Sequence, residues 1–288
     1  MTDPILPITP AIARACDSID ELVRRFISAC RALPSALGKY ESSVEAQNLF
    51  RLAIRNVEGV IQLAKSDLVL LPPAMAAARA AFEAAVKACW LVDPEDPYDR
   101  EARYLVQLHS EERYLQRLAK RFDAAGISSS NLHVREGQIR EFRLAVTAAL
   151  PAGVRRLSGT PSFDEMLAAI GGGKIYAFYI LLSQYGHGEH AATWLYRDGG
   201  LGTERKDGEF VKPEQWLIPL RTCLHTLGHP GRIFIARLGG DEDQFLDAAD
   251  HQIIEDQLSR IVATGTSHSP SLTPRESKLA PAGGKIIV

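Results

Sequence analysis

Pro73-Ala-Met-Ala-Ala-Ala-Arg-Ala-Ala-Phe-Glu-Ala-Ala-Val-Lys-Ala-Cys-Trp-Leu91 decides the fold of this chain. Nearly half of it is alanine, the strongest helix former. Its only charges, Arg79, Glu83 and Lys87, recur every four residues. At about 100° per residue, Met75, Phe82, Val86 and Cys89 share one arc, and alanines cover the back. The segment predicts a core helix that neighbours can approach closely. Arg79 falls inside the apolar arc, Glu83 at its margin, and Lys87 toward water. A guanidinium in an apolar arc needs a partner, and Glu83 stands one turn away.

A second apolar run, Lys174 to Tyr185, is greasy on nearly every side, which predicts a buried helix. Tyr179-x3-Ser183-x3-His187 runs along it, with Ser183 and His187 on one face and Gly186 at its end.

Helix punctuation surrounds these two segments. Thr9-Pro10 and Asp96-Pro97 each pair a capping side chain with proline at the first helical position. They open helices expected to run to about Leu33 and Ala125. Further helices are expected over about 42–67 and 131–150, the second closed by Pro151. Ser162-x2-Glu165 has capping-box spacing and predicts a short helix to Ile170. Gly171-Gly172-Gly173 reads as a joint: it lacks a preceding strand and the G-x4-G-K-[ST] pattern of a phosphate loop. Residues 197–211 read as an exposed loop with a small hairpin. Helices resume over about 213–227, 232–238 and 241–263, with His229-Pro230-Gly231 as a break. Strand signals are nearly absent. The expectation is an all-α bundle of seven to nine helices over 1–264, with its core at about 42–190. Residues 265–288, rich in Ser, Thr, Pro and Gly, read as a disordered tail.

Composition bounds the function. The chain has 288 residues, 46% of them hydrophobic, and a net charge of −2. That balance argues against a dedicated nucleic-acid coat or a basic membrane-surface protein. Cys16, Cys30, Cys89 and Cys223 lack C-x2-C spacing and read as small core residues in a reducing compartment. The N-terminus carries no signal-peptide pattern, and no uncharged apolar run reaches about 18 residues, so a cytoplasmic chain without a membrane span is expected. His187-x2-His190 lacks a second ligand pair, and His225-x3-His229 reads as a helix end, so no metal or cofactor is expected.

In the helix after Asp96, the apolar arc is taken as Tyr104, Leu108, Leu115, Leu118 and Phe122, which turns Arg100 and Glu111 inward. Arg103-x5-His109 resembles the R-x4–6-H signature of the HEPN ribonuclease superfamily, with Tyr104 at a place where that motif carries a polar residue. A wider resemblance is carried by order and spacing: Arg79-x3-Glu83, Trp90, Asp93, Arg100, then Tyr179-x3-Ser183-x3-His187. These resemble a family of bacterial all-helical proteins of unknown function, distantly HEPN-like, over roughly 42–190 and the helices that follow. The resemblance implies an all-helical fold and, by analogy of fold, a place among phage-defence or toxin proteins. It implies no activity.

Two functions follow from one cluster. Arg79, Glu83, Arg100, Ser183 and His187, with Glu111 and Tyr179 nearby, would converge between three helices. As a buried network they would fix helix register in a non-catalytic binding or interaction protein, one that could also self-associate. As an open site they would hold an anionic or nucleotide ligand, and His187 would act as general acid/base in a nucleotide- or RNA-directed hydrolase.

Overall fold

The computed structural model describes residues 4–34, 39–154, 157–186, 190–198 and 206–265. The C-terminal tail at 266–288 and His187 lie outside the described residues. The fold is all-α, with one minimal strand pair.

Helix α1 (Pro10–Arg31) starts where Thr9 Oγ1 accepts from the Ile12 amide at 3.3 Å. Helix α2 (Glu41–Ser66) is capped from outside: the Ser42 amide and hydroxyl both donate to the Glu101 carboxylate, at 2.8 and 2.7 Å. The two prolines that suggested a start at Pro73 lie inside the first turn of α3 (Leu71–Val92), where a missing amide donor costs nothing. Fourteen of its 22 residues are buried. It lies against α2 along its length.

Helix α4 (Pro97–Ala124) begins with Asp96 accepting from the Tyr98 amide at 2.8 Å. It stops at Gly126, whose φ of 70° lies in the left-handed region. Helix α5 (Ser130–Ala149) turns back along α4. At α6 (Phe163–Ala169), the Ser162 amide and hydroxyl both donate to Glu165 at 2.7 Å. After the glycine joint come α7 (Tyr176–Gly186) and the single turn α8 (His190–Thr193). The expected hairpin is the antiparallel pair β1 (Arg197–Asp198) and β2 (Lys206–Asp207).

Two expectations fail in the C-terminal third. The break at His229-Pro230-Gly231 does not occur: α9 runs unbroken over Leu217–Arg237 with Pro230 inside it. An interior proline costs about 3 kcal/mol, and burial on several sides offsets it. Leu227, Phe234 and Ile235 are fully buried. The Cys89 thiol donates to the Pro230 carbonyl at 2.8 Å. Gly231 permits the closest approach, since a Cβ there would stand 3.2 Å from Phe26 and 3.3 Å from Phe245. Conversely, α10 (Ala248–Gly265) starts seven residues later than Asp241. Asp247 Oδ1 accepts from the Asp250 amide at 2.7 Å and sets the later start. Arg232 holds the preceding turn through Glu242, Asp243 and the Leu246 carbonyl.

One apolar cluster joins α1, α2, α3, α9 and α10. At its centre Phe26 stacks on Phe50 at 4.7 Å, Phe50 meets Phe234 at 4.5 Å, and Phe245 meets Phe26 edge-on at 5.1 Å. The segment Leu68–Val92 is the one stretch among the described residues long and apolar enough, by length and composition, to cross a membrane. It is also the helix that α2, α9, α7, α6 and α4 surround.

Candidate functional site

Helix α7 packs against α3, and that contact brings Arg79, Glu83 and Tyr179 together. Arg79 Nε donates to Glu83 Oε1 at 2.9 Å, and Nη2 donates to the Tyr179 hydroxyl at 3.2 Å. The guanidinium also lies 5.1 Å from the centre of the Tyr179 ring, within cation–π range. Burial pulls the Arg79 pKa down, but the bonds to Tyr179 and Glu83 outweigh it and leave the group above the ordinary arginine value. Tyr179 is in turn held between Phe163, at 4.2 Å, and Tyr176, at 5.7 Å. Arg79 therefore acts as a strap from the core helix to α7.

Ser183 sits on α7 as expected but donates to the Tyr179 carbonyl one turn back, at 2.8 Å. This is the usual fate of a mid-helix serine, and it commits the hydroxyl proton to its own helix. Lys87 is half-buried instead of reaching freely into water. Nor is α7 buried all round: Leu182 is fully buried, whereas Ala177, Ile180 and Leu181 face solvent. Among the described residues it packs chiefly on α3.

Arg100 does not join this cluster. It donates to the Pro94 carbonyl at 2.5 Å and to the Arg237 carbonyl at 3.2 Å, beyond the far end of α3. Residue 93 lies about 20 Å along the helix from residue 79. Burial, then the nearby Arg237 charge, lowers the Arg100 pKa. Asp93 organises this second network: it pairs with Arg237 at 3.3 Å and Arg103 at 3.6 Å. Arg103 also donates to the Trp90 carbonyl and lies over the Trp90 ring at 5.0 Å. A cleft of about 440 Å³ opens beside it, lined by Asp93, Ile170, Gly171, Ile233, Arg237 and Glu242.

Glu111 is likewise elsewhere, accepting from Arg135 on α5 at 3.1 Å. The inward carboxylates of α4 are Glu101 and Glu112, both buried. Sequence reasoning missed them by one position. The seam of α4 runs through residues 101, 105, 108, 112, 115 and 119, in steps of four and three. Weighting the arc by Tyr104, Leu118 and Phe122 rotated it away from the glutamates. The alternating four-three spacing was the signal that could have found them.

Arg103 and His109 part company along α4. Arg103 turns to α3, while His109 lies 3.6 Å from Glu112, on the side of α5. His225 and His229, read as a helix end, lie inside α9. His229 Nε2 meets the Ile170 carbonyl at 2.7 Å. His225 meets His251 and Glu255 of α10. The four cysteines are free. Burial pushes the Cys16 and Cys30 thiols up to about 12, so they are protonated and unreactive at neutral pH.

No family model, curated protein or solved structure matches the chain.

Proposed function

We propose that this chain is a non-catalytic binding or interaction protein of the cytoplasm, and that the hairpin of α4 and α5 is its contact arm. The observation that carries this reading is the exposure of α5. Of its 20 residues only Glu136 is buried, and α5 packs chiefly on α4. Val134, Phe142 and Leu144 stand in solvent, 60%, 38% and 55% exposed. A helix that gives so little to its own core retains apolar surface for another protein, a second copy of this chain included. The Arg79 cluster supports the same reading from the other side. Arg79, Glu83, Tyr179 and Ser183 spend their polar groups on one another, and they line neither the cleft beside Asp93 nor the one between α2, α4 and α5. The free, protonated cysteines support a reducing compartment.

The test pairs association with turnover. Sedimentation of the full chain, alone and as Phe142→Glu/Leu144→Glu, is expected to show self-association that the double variant loses. ATP, GTP and single-stranded RNA are expected to survive incubation intact. Hydrolysis of any of them, abolished by His187→Ala, would overturn the reading in favour of a nucleotide- or RNA-directed hydrolase.

A further inference from the structure

Two pairs of polar side chains face each other across the contact of α9 with α10. On α9, Arg221 and His225 are one turn apart; on α10, His251 and Glu255 are one turn apart. Packing of the two helices brings one ligand atom each from His225, His251 and Glu255 to within 4.8 Å of one another. The imidazole centres are 6.5 Å apart. Arg221 Nε and Nη2 both hold Glu255 Oε2, at 3.0 and 2.9 Å. That leaves Oε1, and the ring nitrogens of His225 and His251, without hydrogen-bond partners among the described residues. All three residues are half-buried, so the site is reachable yet sheltered.

The geometry points to a site for one divalent transition-metal ion, zinc by preference, held by His225, His251 and Glu255. Two imidazoles and a carboxylate form a ligand set that zinc accepts, with a fourth position left to water. Calcium and magnesium prefer an all-oxygen shell, which this cluster lacks. Arg221 fills the outer-shell role, fixing the carboxylate so that its other oxygen points at the ion. Phe178, 5.4 Å from the His225 ring, and Gly228, against which the His251 ring packs, hold the imidazoles in place. A Cβ at Gly228 would stand 3.4 Å from His251 Cδ2. The metal would clamp α10 to α9, with Phe178 of α7 at its edge.

Calorimetric titration of the full chain with Zn2+ tests the site, followed by Co2+ titration read by absorption. One equivalent of zinc is expected to bind and to raise the melting temperature. His251→Ala and Glu255→Gln are each expected to weaken binding about 100-fold or more, since loss of an outer-shell partner alone costs 10–100-fold. His251 is half-buried and carries no ion pair among the described residues, so the metal-free melting temperature of His251→Ala is expected to stay near wild type, which separates lost ligation from lost fold. Glu255→Gln also gives up the charge that Arg221 holds and is expected to melt lower without metal. The Co2+ complex is expected to show tetrahedral d–d bands without a thiolate charge-transfer band. Undetectable saturable binding, unchanged affinity in both variants, or a thiolate band reporting cysteine ligation would each overturn the site.

Discussion

Helices α3 and α5 are of similar length and are held by different forces. α3 buries fourteen of 22 residues and pairs Arg79 with Glu83 along its own length. α5 buries one of 20 and is laced to α4 by charge. Glu136 accepts from Gln116 of α4 at 3.1 Å and, within α5, from Arg140 at 2.9 Å; Arg143 grips Glu112 at 3.0–3.1 Å; Arg135 reaches Glu111 at 3.1 Å. Apolar burial is insensitive to salt and hard to open locally, whereas ion pairs with one arm in solvent, as Arg135–Glu111 and Arg140–Glu136 are, are weaker and screened. The hairpin of α4 and α5 is therefore expected to open more readily than the α3 centre.

Breaking the centre has the largest expected effect. Phe50→Ala removes the ring between Phe26 and Phe234 and is expected to cost about 3–5 kcal/mol, read by urea unfolding. A loss below about 1 kcal/mol would mean that the aromatic centre is not what holds α1, α2 and α9 together. Arg79→Met tests the strap. Its ion pair is neither fully buried nor exposed, at 18% and 27% side-chain exposure, so a loss of about 2 kcal/mol is expected, between the surface and buried limits. The same melting temperature in Arg79→Met and wild type would show that Arg79 does not fasten α7 to α3.

The arm responds on a smaller scale and more locally. Glu112→Gln is expected to weaken the grip of Arg143 by about 1.4 kcal/mol, which speeds amide exchange in α5 about tenfold and leaves α3 unchanged. Equal acceleration in both helices would show that the arm is not independent.

The smallest effect lies where arm and centre meet. Glu45 lines a cleft of about 360 Å³ with Glu41, Tyr104, Glu111, Arg135 and Phe142. Burial, then repulsion from Glu111 and Glu41, raises its pKa above the ordinary carboxylate value. A raised folded pKa means that ionisation is disfavoured in the folded chain. The associated stability is present below the unfolded pKa and is lost as pH rises through the folded one. Glu45→Gln is therefore expected to stabilise at pH 7 by about 0.5 kcal/mol. That gain should vanish once the pH falls below the ordinary carboxylate range. A pH-independent gain would assign the effect to packing instead.

Much of this was legible in the chain because local rules carried it. Thr9, Asp96 and Gly126 bound their helices where capping chemistry puts them. The register of α3 placed Arg79 against Glu83, since a four-residue step on a helix brings the two together whatever surrounds them. Local rules misled where a long-range contact outweighed them. Pro230 should have ended a helix, and core packing carried α9 through it. α7 reads as apolar on nearly every side, yet Ile180 and Leu181 are exposed among the described residues, because periodicity reports what a helix could cover and not how many neighbours arrive.

The sequence by itself determined the class of fold, most helix ends and the Arg79–Glu83 pair, all set by interactions within a few residues. Only the tertiary structure decided which polar residues meet across helices. It sent Arg100 to Asp93's network and Glu111 to α5, turned Glu101 and Glu112 inward, and set His225 opposite His251 and Glu255. Each of those outcomes depends on the rotation of one helix against another, and a shift of one residue, about 100°, exchanges a buried carboxylate for an exposed one.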